Sequence, residues 1–207
     1  LSALTALLKM DSSRGPGPAP TYSSSHVLLA LLTIGKADVI GRHALAKEVG
    51  LGEGAVRTVI KWLKEDDYLT VESNGCQLTA KGKRAYSELR NVMPKTLELP
   101  RTALTVGREQ VAVLVKKKSN RVRSGIEQRD SSIRAGATGA TTYVIKDSKF
   151  QVPGSSVDGE KDFPSGAWVN LRSGLQPENG DVVIICGSHD RRTSFIGAMN
   201  AALTLLT

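Results

Sequence analysis

The chain has 207 residues, 40% hydrophobic and 23% charged, which excludes a disordered chain and suits one large or two small globular domains. Against 20 Asp and Glu it carries 28 Lys and Arg, a net charge of +8 that favours an anionic partner, because cations meeting phosphates release condensed counterions. The 2 cysteines, Cys76 and Cys186, lack C-x-x-C spacing and have only 3 histidines beside them, so neither a disulfide framework nor a metal site is indicated.

No apolar run reaches membrane-spanning length, and no secretory leader pattern opens the chain. The expectation is a cytoplasmic protein without a membrane partner.

Leu1, Leu4, Leu7 and Leu8 recur at helical spacing and predict a short amphipathic helix. Residues 11–25 are rich in Ser, Pro and Gly and read as a connector, with Arg14-Gly15-Pro16 as a rigid turn. A helix is expected from Ser25 to Ile34, capped by Ser24 or Ser25 and closed by Gly35. Another runs from Gly41 or Arg42 to Val49, closed by Gly50, and a third covers Glu53 to Glu65. Tyr68 to Val71 alternates like a strand, Ser73-Asn74-Gly75 is a hairpin turn, and Cys76 to Leu78 is the return strand. Thr79 caps a helix to Arg90, and Pro94 and Pro100 mark a linker.

The second half changes character. Val111 to Val115 is a continuous apolar run, expected of a buried strand. Ile126 to Ala135 is helical and closed by Gly136. Thr141 to Ile145 is a strand, Asp147-Ser148 a turn, and residues 149–152 its return. Residues 153–166 read as a polar loop, residues 168–171 as strand or short helix, Asp181 to Ile185 as a strand, and Thr193 to Leu206 as an apolar helix. The fold class is α+β, an N-terminal winged helix-turn-helix plus a small C-terminal α/β sandwich, with domains over residues 1–93 and 101–207 and a linker over 94–100.

The order helix, turn, helix, hairpin, helix over residues 25–90 points to double-stranded DNA. In the helix 53–65, Val56, Val59, Ile60 and Leu63 make a buried stripe, while Arg57, Lys61 and Lys64 fall on another face. Such a helix suits the major groove, with Gly54, Arg57 and Thr58 near the base edges and Lys61 and Lys64 at phosphates. Asn74 sits in the hairpin turn, and Lys81, Lys83 and Arg84 follow it as backbone-gripping candidates. Arg42 opens the preceding helix, where free N–H groups favour phosphate, though a surface ion pair explains it equally well. His26 and His43 read as structural or exposed.

The runs Ile40-Gly41-Arg42-His43-Ala44-Leu45-Ala46, Leu51-Gly52-Glu53-Gly54-Ala55-Val56-Arg57 and Leu78-Thr79-Ala80-Lys81-Gly82 resemble archaeal winged-helix regulators. That resemblance implies a DNA-binding fold and no particular operator.

In the second half, two strand-to-helix turns carry Gly, Ser and Arg: Lys116 to Gly125, including Arg123, and Cys186 to Arg192, including Ser188, Asp190 and Arg191. If their strands are parallel neighbours, both turns share one sheet edge and favour a small anionic effector there. Thr138, Gly139, Thr141 and Thr142 form a third candidate segment, Arg129 and Asp130 on the preceding helix a fourth, and Ser155 a fifth. Ordinary solvated loops account for the two strand-to-helix turns equally well, helix closure at Gly136 with a tight turn at Gly139 is the alternative for the third segment, Asp130 with Arg134 fits an i, i+4 ion pair, and Ser155 fits a plain turn. Gly125 to Asp130, Gly136 to Thr142 and Gly180 to Ile185 are similar to the C-terminal half of an uncharacterised archaeal family that joins a winged helix to this domain. The resemblance implies architecture and no ligand.

Ser188, His189 and Asp190 are adjacent, but a triad needs residues meeting in space, and no G-x-S-x-G elbow exists. No catalytic residue and no cofactor is assigned. The reading is a regulator, with an enzyme carrying a winged helix as the alternative. A homodimer is expected, because two recognition helices then meet successive major grooves, with the C-terminal helix or Leu1–Leu8 as the interface.

Overall fold

A computed structural model describes residues 2–9 and 22–206; residues 11–21 of the connector expected over 11–25, with its Arg14-Gly15-Pro16 turn, lie outside them. The chain divides into two compact units, Leu1–Leu89 and Arg90–Thr207. Among the described residues, no helix is long and apolar enough to cross a membrane.

The first unit holds helix α1 (Ala3–Leu8), α2 (Ser24–Ala37), strand β1 (Val39–Ile40), α3 (Arg42–Val49), α4 (Glu53–Glu65), β2 (Leu69–Glu72), β3 (Gly75–Leu78) and the start of α5 (Ala80–Val92). Ser23, one residue before the expected cap, opens α2: its backbone N–H donates to Nδ1 of His26 at 3.1 Å. Gly50 adopts the left-handed conformation that ends α3, as its position after Val49 predicts. Gly35 does not end α2, which runs on to Ala37 before Asp38 turns the chain at φ 63°. Leu28, Leu31 and Ile34 of α2, Leu45 and Val49 of α3, and Val56, Val59 and Leu63 of α4 are buried together with Tyr68 and Leu89.

β2 and β3 pair antiparallel, with Leu69 opposite Leu78 and Glu72 opposite Gly75, and β1 adds to the other edge of β3. Gly75 sits at φ 138°, and a Cβ there would stand 2.6 Å from the carbonyl oxygen of Ile40, so the hairpin turn needs a residue without a side chain. Leu4 and Leu7 of α1 are buried, and the Tyr68 hydroxyl donates to the carbonyl of Ala3 at 2.8 Å. The apolar side of α1, expected at a subunit interface, is thus spent inside this unit.

The second unit is a five-stranded sheet in the order β4-β5-β8-β6-β7, formed by β4 (Thr96–Leu99), β5 (Glu109–Val115), β6 (Gly139–Lys146), β7 (Lys149–Gln151) and β8 (Val182–Ser188). Helices α6 (Ile126–Arg134) and α9 (Arg191–Leu203) pack on the face bearing Cys186, where Sγ would lie 2.7 Å from a Cβ at Gly197. α8 (Ala167–Leu175) covers the other face over Tyr143, Phe150, Val183 and Ile185, near the short α7 (Gly159–Asp162). α9 buries Ile196, Ala198, Met199 and Ala202 within its own unit, so the second expected dimer surface is also taken.

Three expectations change here. Residues 94–100 are not a linker throughout: Thr96–Leu99 form β4 along the edge of β5. The polar loop 153–166 contains α7, whereas residues 168–171, expected as strand or short helix, take the helical alternative within α8. Above all, β5 and β8 are antiparallel, with Glu109 opposite Ser188 and Val115 opposite Val182. Their unbroken apolar runs reflect helices on both faces, a covering more common over parallel sheets.

Candidate nucleic-acid interface and second-unit residues

α4 is amphipathic in the strict sense. Val56, Val59, Ile60 and Leu63 are buried, whereas Gly54, Arg57, Lys61 and Lys64 are exposed. Among the described residues, Arg57 and Lys64 carry no ion pair, and Lys61 has only an exposed i, i+4 partner, Glu65, at 3.7 Å. A Cβ on Gly54 would meet no atom within 4 Å, so the first turn of α4 is open to close approach. Thr58 is half-buried and donates its hydroxyl to the carbonyl of Gly54 at 3.1 Å, which ties to the helix a group expected to reach DNA.

A concavity of about 390 Å³ lies between the start of α3, α4 and the hairpin, and Arg42, His43, Arg57 and Asn74 line it. The hairpin closing back over α3 brings Arg42 and Asn74 to the same side as Arg57, although they are far apart in sequence. His43 Nδ1 stands 3.0 Å from Glu53 Oε1, a link between the first turns of α3 and α4. Sequence reasoning left His43 without a role; its place next to Arg42 on the exposed first turn was the available signal.

Lys81 is engaged by the fold. Its Nζ donates to the carbonyl of Asp66 at 2.7 Å and lies 4.3 Å from the centroid of the Tyr68 ring. Lys83 and Arg84 are exposed on α5.

The candidate effector residues of the second unit do not form one site. Because β5 and β8 run oppositely, the turn after β5, with Arg123 beyond it, and the turn after β8 leave the sheet at opposite ends. Near the first, buried Asp181 accepts from Lys116 Nζ at 2.9 Å and from the Lys117 backbone at 3.0 Å, so Lys116 is already neutralised. At the other end are Thr138, Gly139, Ser188, Asp190 and Arg191. The Thr138 N–H donates to the carbonyl of Gly187 at 2.9 Å, Gly139 pairs with Gly187, and buried Ser188 accepts at its carbonyl from Arg108. Asp190 caps α9, accepting from the Thr193 N–H at 2.9 Å and hydroxyl at 2.6 Å, and these bonds hold its carboxyl below the ordinary range. Arg191 pairs with Glu98.

Arg123, Thr142 and Ser155 flank the start of α6. A Cβ on Gly125 would lie 3.2 Å from Cβ of Thr142 and 3.9 Å from Pro153, and one on Gly154 would lie 3.3 Å from the carbonyl of Arg123. The Thr142 hydroxyl is buried without a hydrogen-bond partner in the structure. Ser155 donates to the carbonyl of Val152 at 3.0 Å and accepts from the Val157 N–H at 3.1 Å, which closes a turn. Thr141 points to the opposite sheet face from Thr142 by strand alternation. Arg129 and Asp130 pair with each other on α6, Nη2 to Oδ1 at 2.9 Å, and Asp130 does not take Arg134. A second concavity, about 340 Å³, is lined by Ser119, Asn120, Lys146, Asp147 and Asn179 among others and includes no expected effector residue. Burial pushes the Cys186 thiol up to about 12 and also raises that of Cys76, and both cysteines are free. Among the described residues, no cluster of His, Cys, Asp and Glu is placed to hold a metal.

Residues 28–93 match the CggR N-terminal DNA binding domain, and residues 106–205 match a domain of unknown function, DUF4443. A solved structure of a hypothetical protein from Pyrococcus horikoshii OT3 is 24% identical, with a TM-score of 0.68 over 89% of this chain and 92% of that one. At that identity the likeness shows the fold alone. No curated protein matches the chain. The chain thus joins a region similar to a DNA-binding domain of the CggR type to a region similar to DUF4443, an arrangement that supports a DNA-binding regulator with DNA as a partner.

Proposed function

We propose that the chain is a cytoplasmic transcriptional regulator that reads double-stranded DNA with a winged-helix first half and acts as a homodimer. One observation carries the reading: α4 buries Val56, Val59, Ile60 and Leu63 and turns Arg57, Lys61 and Lys64 to solvent beside the cleft lined by Arg42 and Asn74. Arg57, nearer the start of α4, reads a base edge; Lys61 and Lys64 meet phosphates. Selection from a pool of random duplexes tests it. A regulator of this kind enriches a site with two-fold related half-sites about 10–10.5 base pairs apart, centre to centre, or a multiple of that. A pool that stays random contradicts it.

The second unit is proposed to take a small anionic effector at the start of α6 beside Arg123. The unpartnered, buried Thr142 hydroxyl next to Gly125 favours this place over the end of β8, where Asp190 and Arg191 already have partners. Inorganic phosphate or a nucleotide that raises the melting temperature of the wild type but not of Arg123→Ala supports it, and equal shifts in both count against it. The chain is read as a regulator rather than an enzyme. Nucleotide turnover by the full chain, lost in Arg191→Ala, would reverse that assignment.

A further inference from the structure

α6 presents an outward stripe that its own chain leaves uncovered. Ile126 and Ile133 are 50% and 47% exposed, while Gln128 and Ser132 face inward and are buried. The two isoleucines are seven residues apart, so they stand on one line along the helix, separated by about 10 Å at 1.5 Å per residue. At about 100° per residue, Arg129 lies on one flank of that line and Asp130 on the other, each about 50° from its centre. Their side chains are half exposed and meet only each other, an exposed pair that contributes little to a lone chain.

This face complements itself under one kind of symmetry. A two-fold axis running along the helix sets Ile126 beside Ile126 of the partner subunit and Ile133 beside the partner's Ile133. The same rotation carries the partner's Arg129 next to Asp130, and the partner's Asp130 next to Arg129. An antiparallel pairing does the reverse and sets like charges together on each flank. An apolar line edged by charges that match their own rotated copies is the pattern of an isologous interface.

We propose that this face of α6 is the centre of the contact with a second copy of the chain, the two helices running in the same general direction about a two-fold axis. The assignment rests on the dimer of the proposed function and gives that dimer a surface. A standard interface buries about 800 Å² on each partner, so two and a half turns of helix are its core and the flanking segments its rim.

The test is sedimentation of the full chain over a concentration series, in four forms: wild type, Arg129→Asp, Asp130→Arg, and both changes together. Wild type and the double reversal are expected to dimerise alike. Each single change sets two like-charged pairs across the axis and raises the dissociation constant about tenfold or more. Mixing the two single variants in equal amounts is expected to restore a dimer, because each then supplies the charge the other lacks. Both positions of change carry half-exposed side chains, and circular dichroism matching the wild type confirms that each variant is folded. A wild type that stays monomeric overturns both this surface and the dimer. A wild type that dimerises while both single variants dimerise equally well overturns the surface alone, as does failure of the mixture to recover.

Discussion

Gly35 on α2 lies against the ring of Tyr86 on α5: a Cβ at position 35 would stand 2.4 Å from Cδ2 of that ring. The glycine that sequence alone marks as the close of the helix lies inside its last turn, where it lets the Tyr86 ring pack against the α2 backbone. Gly35→Ala gains up to about 1 kcal/mol of helix propensity and loses about 1–3 kcal/mol to overpacking. The net expectation is a less stable first unit, read as a lower urea midpoint. An unchanged midpoint would show that Tyr86 swings away freely.

Gly54 is the opposite case, since its added Cβ meets nothing. Gly54→Ala is expected to leave stability unchanged or raise it by up to about 1 kcal/mol. Gly54→Leu is expected to fold as well but to weaken DNA binding about tenfold, because bulk on the first turn of α4 keeps the helix from the base edges. Denaturation and fluorescence anisotropy on one preparation separate the two effects.

The basic residues after the hairpin divide by task. Lys81→Ala removes the bond to Asp66 and the contact with Tyr68, and is expected to cost about 1–2 kcal/mol of stability. Lys83→Ala and Arg84→Ala are expected to leave stability within about 0.5 kcal/mol and to reduce the salt dependence of DNA binding. Thermal melts of the three variants check the first statement, and titrations at several salt concentrations the second.

Burial lowers the affinity of His26 for a proton, and its neutral ring accepts from the Ser23 N–H at the start of α2. The unfolded chain therefore binds a proton at a pH where the folded chain does not, from about 6.5 downward. The stability this contributes is complete above that pH and is lost as pH falls toward the lowered folded value. His26→Gln is expected to flatten the pH dependence of the denaturation midpoint over that window. An unaltered slope would assign it to other groups.

How far the sequence reached depended on the kind of signal. α4 was legible because its apolar and basic residues repeat at helical spacing, and its observed bounds are the expected ones. β1 is two residues long and becomes a strand only through its pairing with β3, which no local pattern announces. β4 was hidden between Pro94 and Pro100, which read as linker punctuation, though Thr96 to Leu99 lie along β5. Strand direction was the condition on which the shared effector edge depended, and it is not met. Val111 to Val115 and Val182 to Ile185 are buried on both faces, and burial says nothing of polarity along the chain. Once β5 and β8 proved antiparallel, Arg123 and Arg191 could no longer share a sheet edge. On the DNA side, Arg42, Arg57 and Asn74 were each nominated separately, and only the closure of the hairpin placed them around one cleft.

The measurement that bears most directly on the central claim is the affinity of Arg57→Ala and Lys64→Ala for a selected duplex and for a random one, at several salt concentrations. Arg57→Ala is expected to lose about 1–3 kcal/mol on the selected site and much less on random DNA. Lys64→Ala is expected to weaken both alike and to lower the salt slope by about 1. Wild-type affinity and salt slope in both variants, on both duplexes, would contradict the entry of α4 into a DNA groove.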